Sequence, residues 1–251
     1  MKRSLGRHVF GLGAIAFGVI TLVGHDLNNW YQLPALENIL HGEILAYIVG
    51  VIELLGGIAI QWQRTVRLGA ITLGAVFLIL ALLWVPLIVE KPLSYGGWGN
   101  FFLKFSLVSG ALMVYASTSE SNSKKAERIA QMGYIFFGIS VISFALYQLF
   151  YISYTASLVP KWIPPGQMFW AIITTIAFAL AAIAILSARA ALLGSQLLTV
   201  MLILFGMLVF LPGSFVDPHN LANWGEIVET LSVAGVAWIT ADCFYKKRSA
   251  T

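Results

Sequence analysis

Polar residues in this chain come in short clusters, and between them lie eight long apolar runs: Val9 to Gly24, Glu43 to Gln61, Leu68 to Val89, Trp98 to Ala116, Ile129 to Phe150, Gly166 to Leu186, Ala190 to Leu211 and Glu226 to Cys243. Most are close to the ~20 residues an α-helix needs to cross a ~30 Å hydrocarbon core. None alternates apolar and polar residues as a strand of a membrane barrel does, so the pattern predicts helices throughout. Lys2, Arg3 and Arg7 precede the first run, as in a signal peptide. GHDLNNWY follows it where a small-residue cleavage site belongs, and the run therefore reads as a membrane helix.

Composition agrees. Hydrophobic residues make up 59% of the 251 residues and charged ones 10%, against about 25% charged in a soluble domain; mean hydropathy is +0.85. With the N-terminus inside and the spans alternating, the inner side holds Lys2, Arg3, Arg7, Arg64, Arg67, Lys124, Lys125, Arg128, Arg189, Lys246, Lys247 and Arg248. The outer loops hold only Lys91 and Lys161, and Lys104 falls within a span. This positive-inside bias predicts an inner (plasma) membrane protein with both termini cytoplasmic. It also accounts for the net charge of +4 without a nucleic-acid partner. Trp30, Tyr31, Tyr95, Trp98, Trp162, Trp170 and Trp224 fall at outer ends, where aromatic belts form, and Trp62 and Trp238 toward the inner face. Cys243 is the single cysteine, so no intrachain disulfide or cysteine-held metal cluster is expected.

The hydrophilic stretch STSESNSKKAER, residues 117–128, reads as a cytoplasmic linker between two halves of four spans, residues 1–116 and 129–251. GGIAIQWQR (Gly56 to Arg64) matches AAIAILSAR (Ala181 to Arg189) at an offset of 125, and Gly97-Trp98-Gly99 is echoed by Asn223-Trp224-Gly225. Leu33-Pro34 pairs with Val159-Pro160, and AFG (Ala16 to Gly18) with FFG (Phe136 to Gly138). Four spans being an even number, the copies share one orientation. The expected fold is all-α: two tandem four-helix bundles in parallel orientation, related by a pseudo-twofold axis along the membrane normal.

The ELLGG of the second span, followed by RTVRLGAITLGA (Arg64 to Ala75), resembles the DoxX/DoxD family of small bacterial membrane proteins. The first half, Gly11 to Ala116, carries the resemblance; the second has FALAA (Phe178 to Ala182) in place of ELLGG. The resemblance implies the four-helix unit and a link to quinone-coupled sulfur oxidation or membrane oxidoreductase complexes.

Polar groups inside the spans are the candidate chemistry, because an acid at the bilayer centre costs roughly 2.5–3.5 kcal/mol and normally faces a bundle interior or cavity. Glu53 lies about 15 Å below the outer end of its span, near the midplane. It reads either as a protonated carboxyl locking helix packing among Gly50, Gly56 and Gly57, or as a proton-handling or ligand-contacting group. Lys104, about 9 Å below the outer end of span 4, has Glu229 as its counterpart at offset 125, with Glu226 one turn above. Pseudo-twofold symmetry allows Lys104 and Glu229 to pair; the alternative is a Lys104 that snorkels outward alone.

His25, Asp26, His41, Glu43, Glu90, Asp217 and His219 collect at the outer rim, at a spacing that follows no metal or haem ligand motif; no metal is assigned. The glycines of GLGAIAFG (Gly11 to Gly18) read as a packing face. No nucleophile signature, phosphate loop or dinucleotide fingerprint is present, so no stand-alone catalytic machinery is expected. Three functions are consistent with these features: a membrane subunit or anchor for a partner oxidoreductase with a quinone as the candidate cofactor, a small-molecule or ion transporter, and a structural or assembly protein. Against transport, the runs are not broken at their centres, Pro86 and Pro212 falling near the outer ends of spans 3 and 7.

Overall fold

The computed structural model describes residues 5–25, 42–119 and 123–249. Among these are eight helices long and apolar enough to cross a membrane: Leu5–Gly24, Gly42–Gln61, Val66–Glu90, Tyr95–Ser117, Lys124–Phe150, Gln167–Ser187, Ala191–Val216 and Leu221–Lys247. They are numbered here as spans 1 to 8. The chain is an integral, multi-pass, all-helical membrane protein. Large apolar side chains such as Leu180, Ile183, Leu193 and Leu197 lie more than half exposed on its outside, a surface suited to lipid rather than water.

Several helices run further than their apolar runs, since amphipathic ends carry polar residues that a hydropathy pattern omits. Span 5 begins at Lys124, inside the expected linker, because the Ser123 hydroxyl accepts a hydrogen bond from the Ala126 N–H and caps the helix. Helix thus covers Ser117 and Lys124 to Arg128 of the expected linker.

Spans pack in a closed circuit: 1 on 2, 2 on 3, and so on to 8, which returns to 1. Spans 4 and 8 also meet across the middle. They are the most buried, at 61% and 67% of their apolar windows, and so form the centre. One hydrophobic core runs through both halves of the sequence.

Glycine sets the tightest crossing. A Cβ at Gly18 would lie 2.6 Å from the Gly50 carbonyl oxygen, and one at Gly57 would lie 2.6 Å from that of Gly11. Span 1 and span 2 therefore touch backbone to backbone along the GLGAIAFG face.

Spans 3 and 7 are interrupted. Span 3 stops at Leu82 and restarts as Val85–Glu90. Span 7 passes from Ala191–Phe205 through a five-residue π-helix, Gly206–Phe210, into Leu211–Val216. Pro86 and Pro212 occupy matching places in the two short helices. A proline lacks the N–H that would bond four residues back, and the irregularity spreads toward the preceding turn, deeper than proline position alone indicates.

Candidate functional site

The two central helices bring together Lys104 and Glu229, which stand 125 residues apart in the sequence. Lys104 (span 4) and Glu229 (span 8) are 2% and 7% exposed, and the Lys104 ammonium donates a hydrogen bond to Glu229 Oε1 in a buried ion pair. Pairing with hydrogen bonding is what makes two such charges tolerable away from water. Lys104 therefore does not snorkel outward.

Next to this pair is a cavity of about 570 Å³ among spans 4 to 8 and the short helix Ile152–Leu158. Its walls are largely aromatic and aliphatic, with Phe144, Phe178, Phe205, Trp162 and Trp170 prominent. The polar groups reaching it are few: Glu226, Glu229, Gln148, Tyr147, Tyr154, Thr174 and Asn100 among them. At the rim, Tyr154 is 55% and Trp162 73% exposed, so the cavity is open. Glu226, one turn from Glu229, is also exposed. Two carboxylates and one ammonium thus meet here.

Gln148 accepts hydrogen bonds at Oε1 from the hydroxyls of Thr174 (3.3 Å) and Thr175 (3.0 Å). Its amide nitrogen has no protein partner among the described residues and remains a donor. Burial first, and then the negative charge of Glu226, raise the Tyr154 phenol above its ordinary value, which keeps it a donor too. A cavity of this size, lined mainly by apolar side chains with a few polar groups, is typical of small-molecule sites, which run about 300–1,000 Å³.

No protein-family model, no curated protein and no solved structure matches the chain. The functional argument therefore rests on the site itself.

Glu53 is elsewhere. It is fully buried in span 2 and accepts a hydrogen bond, 3.5 Å long, from the Thr21 hydroxyl of span 1, beside the Gly18–Gly50 crossing. It does not line the cavity; Phe178, its counterpart at offset 125, does. Of the rim residues, His25 shares a 2.7 Å hydrogen bond with the Tyr47 hydroxyl, Glu90 forms an exposed ion pair with Lys91 at 3.6 Å, and Glu43, Asp217 and His219 are exposed. Among the described residues no three His, Cys, Asp or Glu gather to hold a metal; Asp26 and His41 lie outside the described residues. Sequence reasoning missed the cavity. Its signal was present as polar Gln148, Thr174 and Thr175 within apolar runs, on helices whose faces only the packing sets against one another.

Proposed function

We propose that the chain is an eight-span membrane subunit of the DoxX-like type, built from two tandem four-span units. It binds a quinone-class molecule in the cavity and serves a partner oxidoreductase that holds the redox centre. Three features support the doubling. The packing order of spans 1 to 4 recurs in spans 5 to 8. The short helices Val85–Glu90 and Leu211–Val216 recur with their prolines. The Trp98 indole donates to the Pro92 carbonyl (3.2 Å) just as Trp224 does to that of Pro218 (3.0 Å). The positive-inside bias supports cytoplasmic termini for both units.

The observation that carries the ligand reading is the open aromatic cavity with donors at Gln148 and Tyr154, groups that suit the carbonyl oxygens of a quinone ring. The test is a titration of the purified protein with a short-tailed quinone, followed by quenching of Trp162 and Trp170 fluorescence. Leu103→Trp, which fills the cavity, is expected to weaken binding at least ~tenfold, about 1.4 kcal/mol. Unquenched wild-type protein that also yields no quinone on extraction overturns the assignment.

A second reading is favoured by Glu226, whose carboxylate lies within 4 Å of no basic nitrogen among the described residues, and by the interrupted spans 3 and 7. This is transport of a lipophilic cation. Accumulation of tetraphenylphosphonium by vesicles containing the protein, abolished by Glu226→Gln, would select transport; binding of quinone without cation flux selects the subunit.

A further inference from the structure

Glu226 lies near the start of span 8 and is exposed to the cavity that it lines. Among the described residues its carboxylate accepts no hydrogen bond and forms no ion pair. Glu229, one turn further on, already accepts from the Lys104 ammonium. The residues lining the cavity include no lysine, arginine or histidine. Glu226 is therefore the cavity carboxyl whose polar partner has to come from whatever molecule occupies the space.

Its ionisable neighbours are few. Glu229 shares its helix, Lys104 acts on it from span 4, Tyr147 from span 5 and Tyr154 from the short helix Ile152–Leu158. Span 7 has no ionisable side chain, and Asp217, Tyr95 and Tyr151 are not part of the cavity lining. On span 1, Arg7 and His8 belong to the opposite end, where Gly6 packs on Trp238, and His25 beyond that span is engaged with Tyr47.

A carboxyl in this place distinguishes ring oxygens by their protons. Ionised, it only accepts hydrogen bonds; protonated, it also donates one. A quinone carbonyl can only accept, whereas a hydroxyl of the reduced quinol can donate. The quinol thus complements the ionised carboxylate and the quinone the protonated acid. Gln148 cannot make this distinction. Thr174 and Thr175 hold its Oε1, and the amide nitrogen left facing the ligand donates to a carbonyl or a hydroxyl oxygen alike.

Resting on the quinone reading of the cavity, we propose that Glu226 sets which redox form of the ligand is bound, holding the quinol when ionised and the quinone when protonated. Quinone binding then takes up a proton and quinol binding releases one. The quinol-to-quinone affinity ratio consequently rises with pH, by at most about tenfold per pH unit for a single linked proton.

The test uses the full chain in detergent, titrated without oxygen against a short-tailed benzoquinone and, separately, against its quinol. Binding is followed by calorimetry from about pH 5.5 to 8.5, a range in which a quinol stays neutral because phenols ordinarily titrate near 10. The affinity ratio is expected to rise at least about tenfold across that range, with protons released to the buffer on quinol binding. Glu226→Gln, which places a neutral amide at the same position, should bind both forms at a ratio that no longer changes with pH. Glu226→Asp keeps a carboxyl and should keep the slope. A flat ratio in wild type, or a slope that survives Glu226→Gln, overturns the role of Glu226 and leaves the cavity reading standing. Binding of neither form by wild type overturns the cavity reading, and this assignment with it.

Discussion

Lys104 and Glu229 sit one on each of the two central helices, and neither charge is affordable there without the other. Removing one partner of a fully buried pair in a soluble protein costs about 3–5 kcal/mol. Here Glu229 borders an open cavity that water can enter, so Lys104→Met is expected to cost on the order of 1–3 kcal/mol in detergent unfolding. Lys104→Met with Glu229→Gln should recover much of that loss; strictly additive losses in the double-mutant cycle would show that the residues act independently. Glu53 calls for the opposite expectation. Its hydrogen bond from Thr21, beside a backbone-to-backbone crossing, sets up a test of a packing role. Glu53→Gln should preserve stability, whereas Glu53→Leu should lose a modest amount, since interhelical hydrogen bonds in membranes average about 0.6 kcal/mol. A protein that tolerates Leu but not Gln would refute this role.

Helix pairing follows from where side chains are missing. Gly57 meets the Gly11 carbonyl at a distance no Cβ can occupy, while Gly213 has nothing within 4 Å of the place its Cβ would take. Gly57→Val should therefore destabilise by more than about 2 kcal/mol through forced separation of spans 1 and 2, and Gly213→Ala should be nearly silent. Comparable losses in the two variants would show that the crossing is not glycine-limited. The glycine face of span 1 could be anticipated because small residues spaced along an apolar helix have few other uses. The π-helix at Gly206–Phe210 could not, because its cause is a proline acting on carbonyls up the chain, and the pattern of apolar residues is blind to hydrogen-bond register. For the same reason the eight runs were recognisable while their ends were misjudged by several residues at Lys124 and Leu221.

At the scale of the whole molecule, the pairing of Lys104 with Glu229 could be anticipated because they stand 125 residues apart, the offset at which GGIAIQWQR aligns with AAIAILSAR. The cavity could not, because it is made by faces of five spans and no local pattern records an absence of atoms. Orientation remains a matter of charge distribution, and it makes a direct prediction. In a background with Cys243→Ala, a thiol introduced by Ser94→Cys should react with an impermeant reagent applied outside intact cells. One introduced by Ser119→Cys should be protected until the membrane is opened. External labelling at position 119 would reverse the topology.

Among the described residues the circuit of helices closes through span 8, and span 8 also carries the Glu229 carboxylate that pairs with Lys104. A ribosome reaches those residues last. Until residues 221–249 have been translated and threaded into the bilayer, the nascent chain holds Lys104 without the Glu229 carboxylate and a first helix without the span that packs on its flank. A messenger truncated before that point would yield seven hydrophobic helices in which Lys104 lacks the Glu229 carboxylate. Such a product would carry its own mark of incompleteness, open to membrane proteases that the finished ring conceals from them.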